Sequence, residues 1–183
     1  RYISVTGVQT CALPICMTPT TGLNSQDERW LREVIALSAQ SRQAGHHPFA
    51  ALLVDADGTT LARAMNASSA DRTAHAEMNA IHAAAARHGA GLSGATLYSS
   101  AEPCAMCAGA LYWAGIGRLV YALSEARLLT LTGDDPENPT LSLPCREVFA
   151  RGQRRVEVVG PALEEEAARV HAGFWHPSTL SRS

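Results

Sequence analysis

The sequence predicts an α/β fold, with a mixed sheet of roughly five strands between two layers of helices, and three observations carry that expectation. Short β-rich stretches alternate with helical ones along most of the chain, a pattern that places parallel pairs in the sheet and covers both of its faces. Residues 50–54 and 60–65 flank Asp55-Ala56-Asp57-Gly58, a turn-rich link that reads as a β-hairpin. With 183 residues, 46% of them apolar, the chain can bury a substantial core.

Taken in order, the elements begin with a helix from Ser25, where Leu31, Val34, Ile35 and Leu37 recur near helical spacing and Gly45 is a natural stop. The hairpin follows. A second helix is expected from near His75 to His88-Gly89, with Thr73 as a plausible N-cap and the alanine run 83–86 as a strong helix former. A third strand, 95–99, leads into a helix over 104–114, and a fourth strand spans 118–123. Residues 132–144, rich in Gly, Asp and Pro, read as a loop. A short helix at 146–151, a strand at 156–159 and a helix at 163–174, packing through Leu163, Val170 and Phe174, complete the chain.

The chemistry concentrates in two segments, His75-Ala76-Glu77 and Pro103-Cys104-Ala105-Met106-Cys107. They offer an imidazole, two thiols and a carboxylate. Structural zinc sites close their tetrahedron with four protein ligands, whereas catalytic ones use about three and leave a corner to water. His75, Cys104 and Cys107 make three, and Glu77 remains to carry a proton. Cys104 and Cys107, three apart, share a helix face near its positive end, which favours the thiolate. His75 and Glu77, two apart, can reach one ion only from a helix's first turn. Two helix starts converging on one metal is therefore the structural expectation. A thioredoxin-like dithiol would need neither His75 nor Glu77. A four-ligand structural site would need a further donor such as Cys145, which reads more simply as a buried core thiol.

The H-x-E and P-C-x-x-C pattern is a signature of zinc-dependent base deaminases. From about His47 to Tyr121 the chain resembles the cytidine deaminase superfamily, closest to its guanine deaminases and tRNA adenosine deaminases. The resemblance rests on HPFAALLV (47–54), Asn66, TAHAE (73–77) and EPCAMCAGALYWAGIGRLVYA (102–122). It implies a three-layer α/β/α cytidine-deaminase-like fold and one Zn2+ per chain held by His75, Cys104 and Cys107. It also implies proton shuttling by Glu77, hydrogen bonding of the ring by Asn66, and a backbone N–H of Ala76 facing the substrate. A small-molecule nucleobase or nucleoside substrate and a homodimer follow from the same likeness.

Substrate choice rests on other residues. Ala110-Leu111-Tyr112-Trp113-Ala114 resembles guanine deaminases, which makes Trp113 a stacking candidate, with a core aromatic as the alternative. Asp134-Asp135 falls near an acidic pair of that family, but the surrounding LTGDDPENP departs from it, so Asp135 reads either as a substrate acceptor or as a solvated loop acid. His47 and Phe49 begin the pocket wall in the resemblance. The resemblance to guanine deaminases also implies that the C-terminal segment, through Phe174, Trp175 or His176, closes over the site of its own or a partner subunit. The expected activity is hydrolytic deamination of a guanine-like purine, with cytosine or cytidine next. A tRNA adenosine deaminase converting adenosine to inosine and a zinc-stabilised binding module are the alternatives.

Charge disfavours nucleic acid as partner: the net charge is −2, lysine is absent, and the C-terminal Glu164-Glu165-Glu166 is acidic. No apolar run is long enough for a membrane, and thiols reserved for a metal suit a cytoplasmic setting. Residues 1–16, including VTGVQTCALPI (5–15), look like a translated sequencing adapter, so Met17 is the expected start and 17–183 one deaminase domain; Cys11 and Cys16 are given no role.

Overall fold

The computed structural model describes residues 22–89 and 91–175; the expected leader 1–16 and His176 lie outside them. The elements are α1 (Ser25–Gln43), β1 (Ala50–Val54), β2 (Thr60–Met65), α2 (Ala76–His88), β3 (Thr96–Ala101), α3 (Ala105–Trp113), β4 (Arg118–Leu123), α4 (Glu125–Thr132), α5 (Cys145–Ala150), β5 (Glu157–Val159) and α6 (Glu164–His171). The sheet order is β2-β1-β3-β4-β5. β1 pairs antiparallel with β2 and β3, and β4 runs parallel to both β3 and β5, so the sheet is mixed.

Alternation along β1 divides the core in two. Ala51 and Leu53 join Ala80, Ile81, Leu111 and Phe149 on the side of α2, α3 and α5. Ala50, Leu52 and Val54 join Trp30, Val34 and Ala167 on the side of α1 and α6. Successive strand residues point to opposite faces, so an all-apolar strand between two helical layers is the expected signature of a three-layer fold.

Local chemistry sets the element ends. Asn24 accepts from the Asp27 N–H while Asp27 accepts from the Asn24 N–H, a reciprocal cap that starts α1. Asp27 then binds Arg118 and the Tyr98 hydroxyl, tying that helix start to β3 and β4. Three expectations need correction. The helix α4 falls where the sequence reading had assigned no element; Ser124 caps it by accepting from the Arg127 N–H. Thr73 is not the N-cap of α2, because Asp71 holds both its N–H and its hydroxyl, and His75 takes that position. The last helix is shorter than expected: Leu163 adopts a left-handed backbone (φ 55°) before it, and the chain turns at Ala172-Gly173 so that Phe174 and Trp175 fold back. Cys145 is buried as expected, and burial pushes its thiol up.

Topology gathers the reactive segments. Ala101 and Leu123 are register partners at the carboxyl ends of the parallel strands β3 and β4, and α3 and α4 depart from there. Ala50 pairs with Met65 and Ala51 with Ser99, which brings Phe49, Asn66 and the end of β3 to the same rim. Open α/β sheets bind ligands at such carboxyl edges.

Candidate active site

His75 and Cys104 are themselves the N-cap residues of α2 and α3, each in extended backbone and neither using its side chain to cap. An N-cap side chain usually accepts from the helix's first N–H groups; here those side chains turn to each other instead. His75 Nδ1 lies 3.6 Å from Cys104 Sγ and 3.6 Å from Cys107 Sγ. Bond lengths of about 2.0–2.1 Å to nitrogen and 2.3 Å to sulfur in a tetrahedron require an N···S separation of about 3.5–3.6 Å. The donor set therefore fits a zinc ion, and among the described residues it is the group of three or more His, Cys, Asp or Glu side chains that could hold a metal.

The two sulfurs divide one proton between them. A hydrogen bond from Cys107 holds Cys104 down to about 4, with His75 assisting, and the same bond pushes Cys107 up. Cys104 in turn raises the His75 imidazole. The positive ends of α2 and α3 favour the thiolate form at this cluster.

Glu77 is the second residue of α2 and is buried beside this cluster. Burial raises its carboxyl pKa, an effect opposed by the Ser99 hydroxyl, which donates to Glu77 Oε1 at 2.6 Å. The Cys107 thiol lies 3.5 Å from Oε2. Ser99 was not singled out from the sequence. It shares strand parity with Leu97, which faces α2, and that alternation was the available signal.

A cavity of about 340 Å3 opens over His75, Glu77 and Cys104. Phe49 and Asn66 line it, with Ser68 and Arg72 on one side and Glu125 and Leu128 on another; Glu137 to Leu141 form a further wall. Asn66 is buried, and its Oδ1 accepts from both the Ser68 N–H at 2.8 Å and the Ser68 hydroxyl at 2.6 Å. This fixes the amide and leaves its NH2 for a ligand. Ala76 is the first residue of α2, where backbone N–H groups have no intrahelical acceptor.

The remaining expected residues separate into two groups. His47 lines the cavity, 3.3 Å from the Ser68 hydroxyl through Nδ1, and burial lowers its imidazole pKa. It also borders an adjoining cavity of about 440 Å3, shared with Asp135, Glu137, Phe174 and Trp175. Trp175 packs against His47 and Phe49, its ring centroid 5.2 and 5.9 Å from theirs, so the chain's own C-terminal aromatics back this wall. Asp135 is buried rather than solvated, accepts from the Glu137 N–H and lines the adjoining cavity. Trp113 corrects the core-aromatic alternative. It is 85% exposed, outside the cavity and outside the core, because the face of α3 opposite Ala108 and Leu111 points away from the sheet. Glu125 and Glu137 went unnoticed in the sequence, since the cap that begins α4 and the path of the loop were not recognised.

Comparison with known proteins matches this geometry. The profile of the cytidine and deoxycytidylate deaminase zinc-binding region covers residues 24–123. A probable cytosine deaminase of Schizosaccharomyces pombe is 40% identical over 157 residues, 85% of this chain and 96% of that relative. A tRNA-specific adenosine deaminase of Bacillus subtilis is 32% identical over 154 residues, 82% of this chain and 89% of its own. Among solved structures, the guanine deaminase of Nitrosomonas europaea superposes with a TM-score of 0.66 at 27% identity, covering 90% of this chain and 97% of the other.

Proposed function

The chain belongs to the zinc-binding cytidine and deoxycytidylate deaminase family, and on that premise we propose that this deaminase hydrolyses the amine from a free nucleobase or nucleoside, guanine-like purines first. The observation that carries the reading is a buried carboxyl, Glu77, beside three ligand side chains inside a cavity of about 340 Å3, a size suited to a small ligand. Zinc held by His75, Cys104 and Cys107 would supply Lewis acidity that makes water a competent nucleophile near neutral pH.

The chain's own residues divide the remaining work. Glu77, oriented by Ser99, takes the proton of the attacking water and returns protons to a ring nitrogen and the departing amine. Asn66, its oxygen already engaged by Ser68, donates from its NH2 to the ring. The Ala76 N–H at the start of α2 faces an acceptor on the base. Phe49 offers an apolar wall, and His47, Phe174 and Trp175 close the side away from the ligands. Asp135 and the exposed Trp113 are given no contact with substrate in this scheme. A homodimer belongs to the same proposal, and Trp113 on α3 gives it an apolar contact point.

Carboxylates favour a free base over a polynucleotide. Among the described residues Glu125 and Glu137 line the cavity with one guanidinium, Arg72, and that excess of carboxylates repels a phosphate backbone. Cytosine is the second reading, favoured by the 40% identity to the S. pombe protein. Ammonia release should be measured across free bases, nucleosides and an RNA hairpin for the zinc-loaded protein and for Glu77→Gln. Turnover of a purine base that falls by about 10²–10⁴-fold in the variant, with zinc retained, is the expected result. Turnover confined to RNA, or equal activity in the variant, refutes the reading.

A further inference from the structure

Glu125 is a half-buried carboxyl to which the scheme above gives no contact with substrate. It is the first residue of α4, and its position is fixed from several directions. The Glu125 N–H donates to Glu102 Oε2 at 3.1 Å, and the other oxygen of Glu102 accepts from the Cys145 N–H at 3.0 Å. Just before it, the Ser124 N–H donates to Glu164 and the Ser124 hydroxyl caps α4. Both oxygens of Glu102 are therefore occupied by backbone, which makes it a brace. The side chain of Glu125, by contrast, makes no hydrogen bond or ion pair among the described residues and lines the cavity that holds His75, Glu77 and Asn66.

A carboxyl that is partly desolvated and unpartnered costs free energy. Among the described residues no side chain offsets that cost, so the offset is expected from a ligand. Leu128, one turn along α4, lines the same cavity, as do Met106 and Phe49. Apolar surfaces with a carboxyl at their edge suit a flat heteroaromatic ring whose faces are apolar and whose rim carries N–H groups.

Resting on the nucleobase reading above, we propose that Glu125 is a specificity-determining contact, accepting a hydrogen bond from a ring N–H of the bound base. The residue reads the rim of the ring, while Glu77 and Asn66 serve the reacting carbon. Bases alkylated at that nitrogen are rejected, because they lose the donor and leave the carboxyl buried without a partner.

The test compares wild type, Glu125→Ala and Glu125→Gln on guanine with its 1-, 7- and 9-methyl forms, and on cytosine with 1-methylcytosine. Calorimetric binding is measured beside kcat/KM, with zinc content and Tm as controls. Glu125→Ala is expected to lower kcat/KM and affinity for the preferred base by about 30-fold or more, with Gln intermediate. For one methylated form, already poor with wild type, Glu125→Ala should change kcat/KM by less than about threefold. An equal loss across the whole methyl series, or no loss for any base, overturns the assignment. If wild type converts a base and both variants match it, only the role of Glu125 falls; if wild type neither binds nor converts any base of the panel, the nucleobase reading falls with it.

Discussion

Replacing Ser99 with alanine removes a single hydroxyl, yet turnover should fall while metal content stays. Ser99 is fully buried on β3, and its hydroxyl donates to Glu77 Oε1 at 2.6 Å, the shortest contact that Glu77 makes. A hydrogen bond to a charged group contributes about 1.5–3 kcal/mol. If that orientation is needed when Glu77 carries its proton, its loss corresponds to a drop of about 10- to 150-fold in kcat, since each 1.36 kcal/mol is tenfold. KM should change little, because Ser99 does not line the cavity. Stability should fall modestly: an orphaned buried acceptor costs about 1–3 kcal/mol, and each kcal/mol moves Tm by about 2–4 °C at this size. Zinc per chain, by atomic absorption, should equal wild type, because Ser99 touches none of the three ligands. Ser99→Thr keeps the hydroxyl and should recover most of kcat. Wild-type kcat in Ser99→Ala, or a loss that Thr leaves unrepaired and zinc depletion accounts for, would refute the positioning role.

Two further outcomes follow from the same geometry. Cys104→Ala removes both a ligand and the N-cap residue of α3; zinc content should drop to near zero and Tm by about 10 °C or more, because ligation stabilises the fold, and a variant with full zinc would contradict the ligand set. His171 is 2% exposed, its Nδ1 accepts from the Trp175 indole N–H at 3.1 Å, and burial, then Arg42, lowers it to about 4. Because that folded value lies below the ordinary 6.5, the unfolded chain takes up the proton first as pH falls. The neutral-ring contribution is complete above about pH 6.5 and disappears toward pH 4, about 3 kcal/mol in all. In urea titrations, the stability gap between wild type and His171→Gln should narrow over that window; a gap constant between pH 8 and 4.5 would exclude the assignment.

The sequence by itself determined the elements whose signals are local. Strands 50–54, 60–65 and 118–123 coincide with β1, β2 and β4, because apolar runs bounded by turn residues need no distant partner to be read. The group that could hold a metal was legible for a related reason: H-x-E and P-C-x-x-C constrain donor geometry within a single helical turn each. Tertiary structure decided everything that depends on which elements meet. Asp71, by capturing Thr73, moved the start of α2 onto His75. Trp113 lies on the face of α3 that no element of the described residues covers, a fact absent from its sequence spacing. Ser99 reaches Glu77 because α2 packs through Ala76 and Ala80 on the face of β3 that carries Leu97, and Glu125 reaches the cavity because the parallel register of β3 with β4 sets the starts of α3 and α4 side by side. A candidate metal site is written in short spacings that a chain carries before it folds, whereas the pocket wall is assembled from segments up to 94 residues apart, His47 to Leu141, whose meeting is fixed by sheet order and strand register.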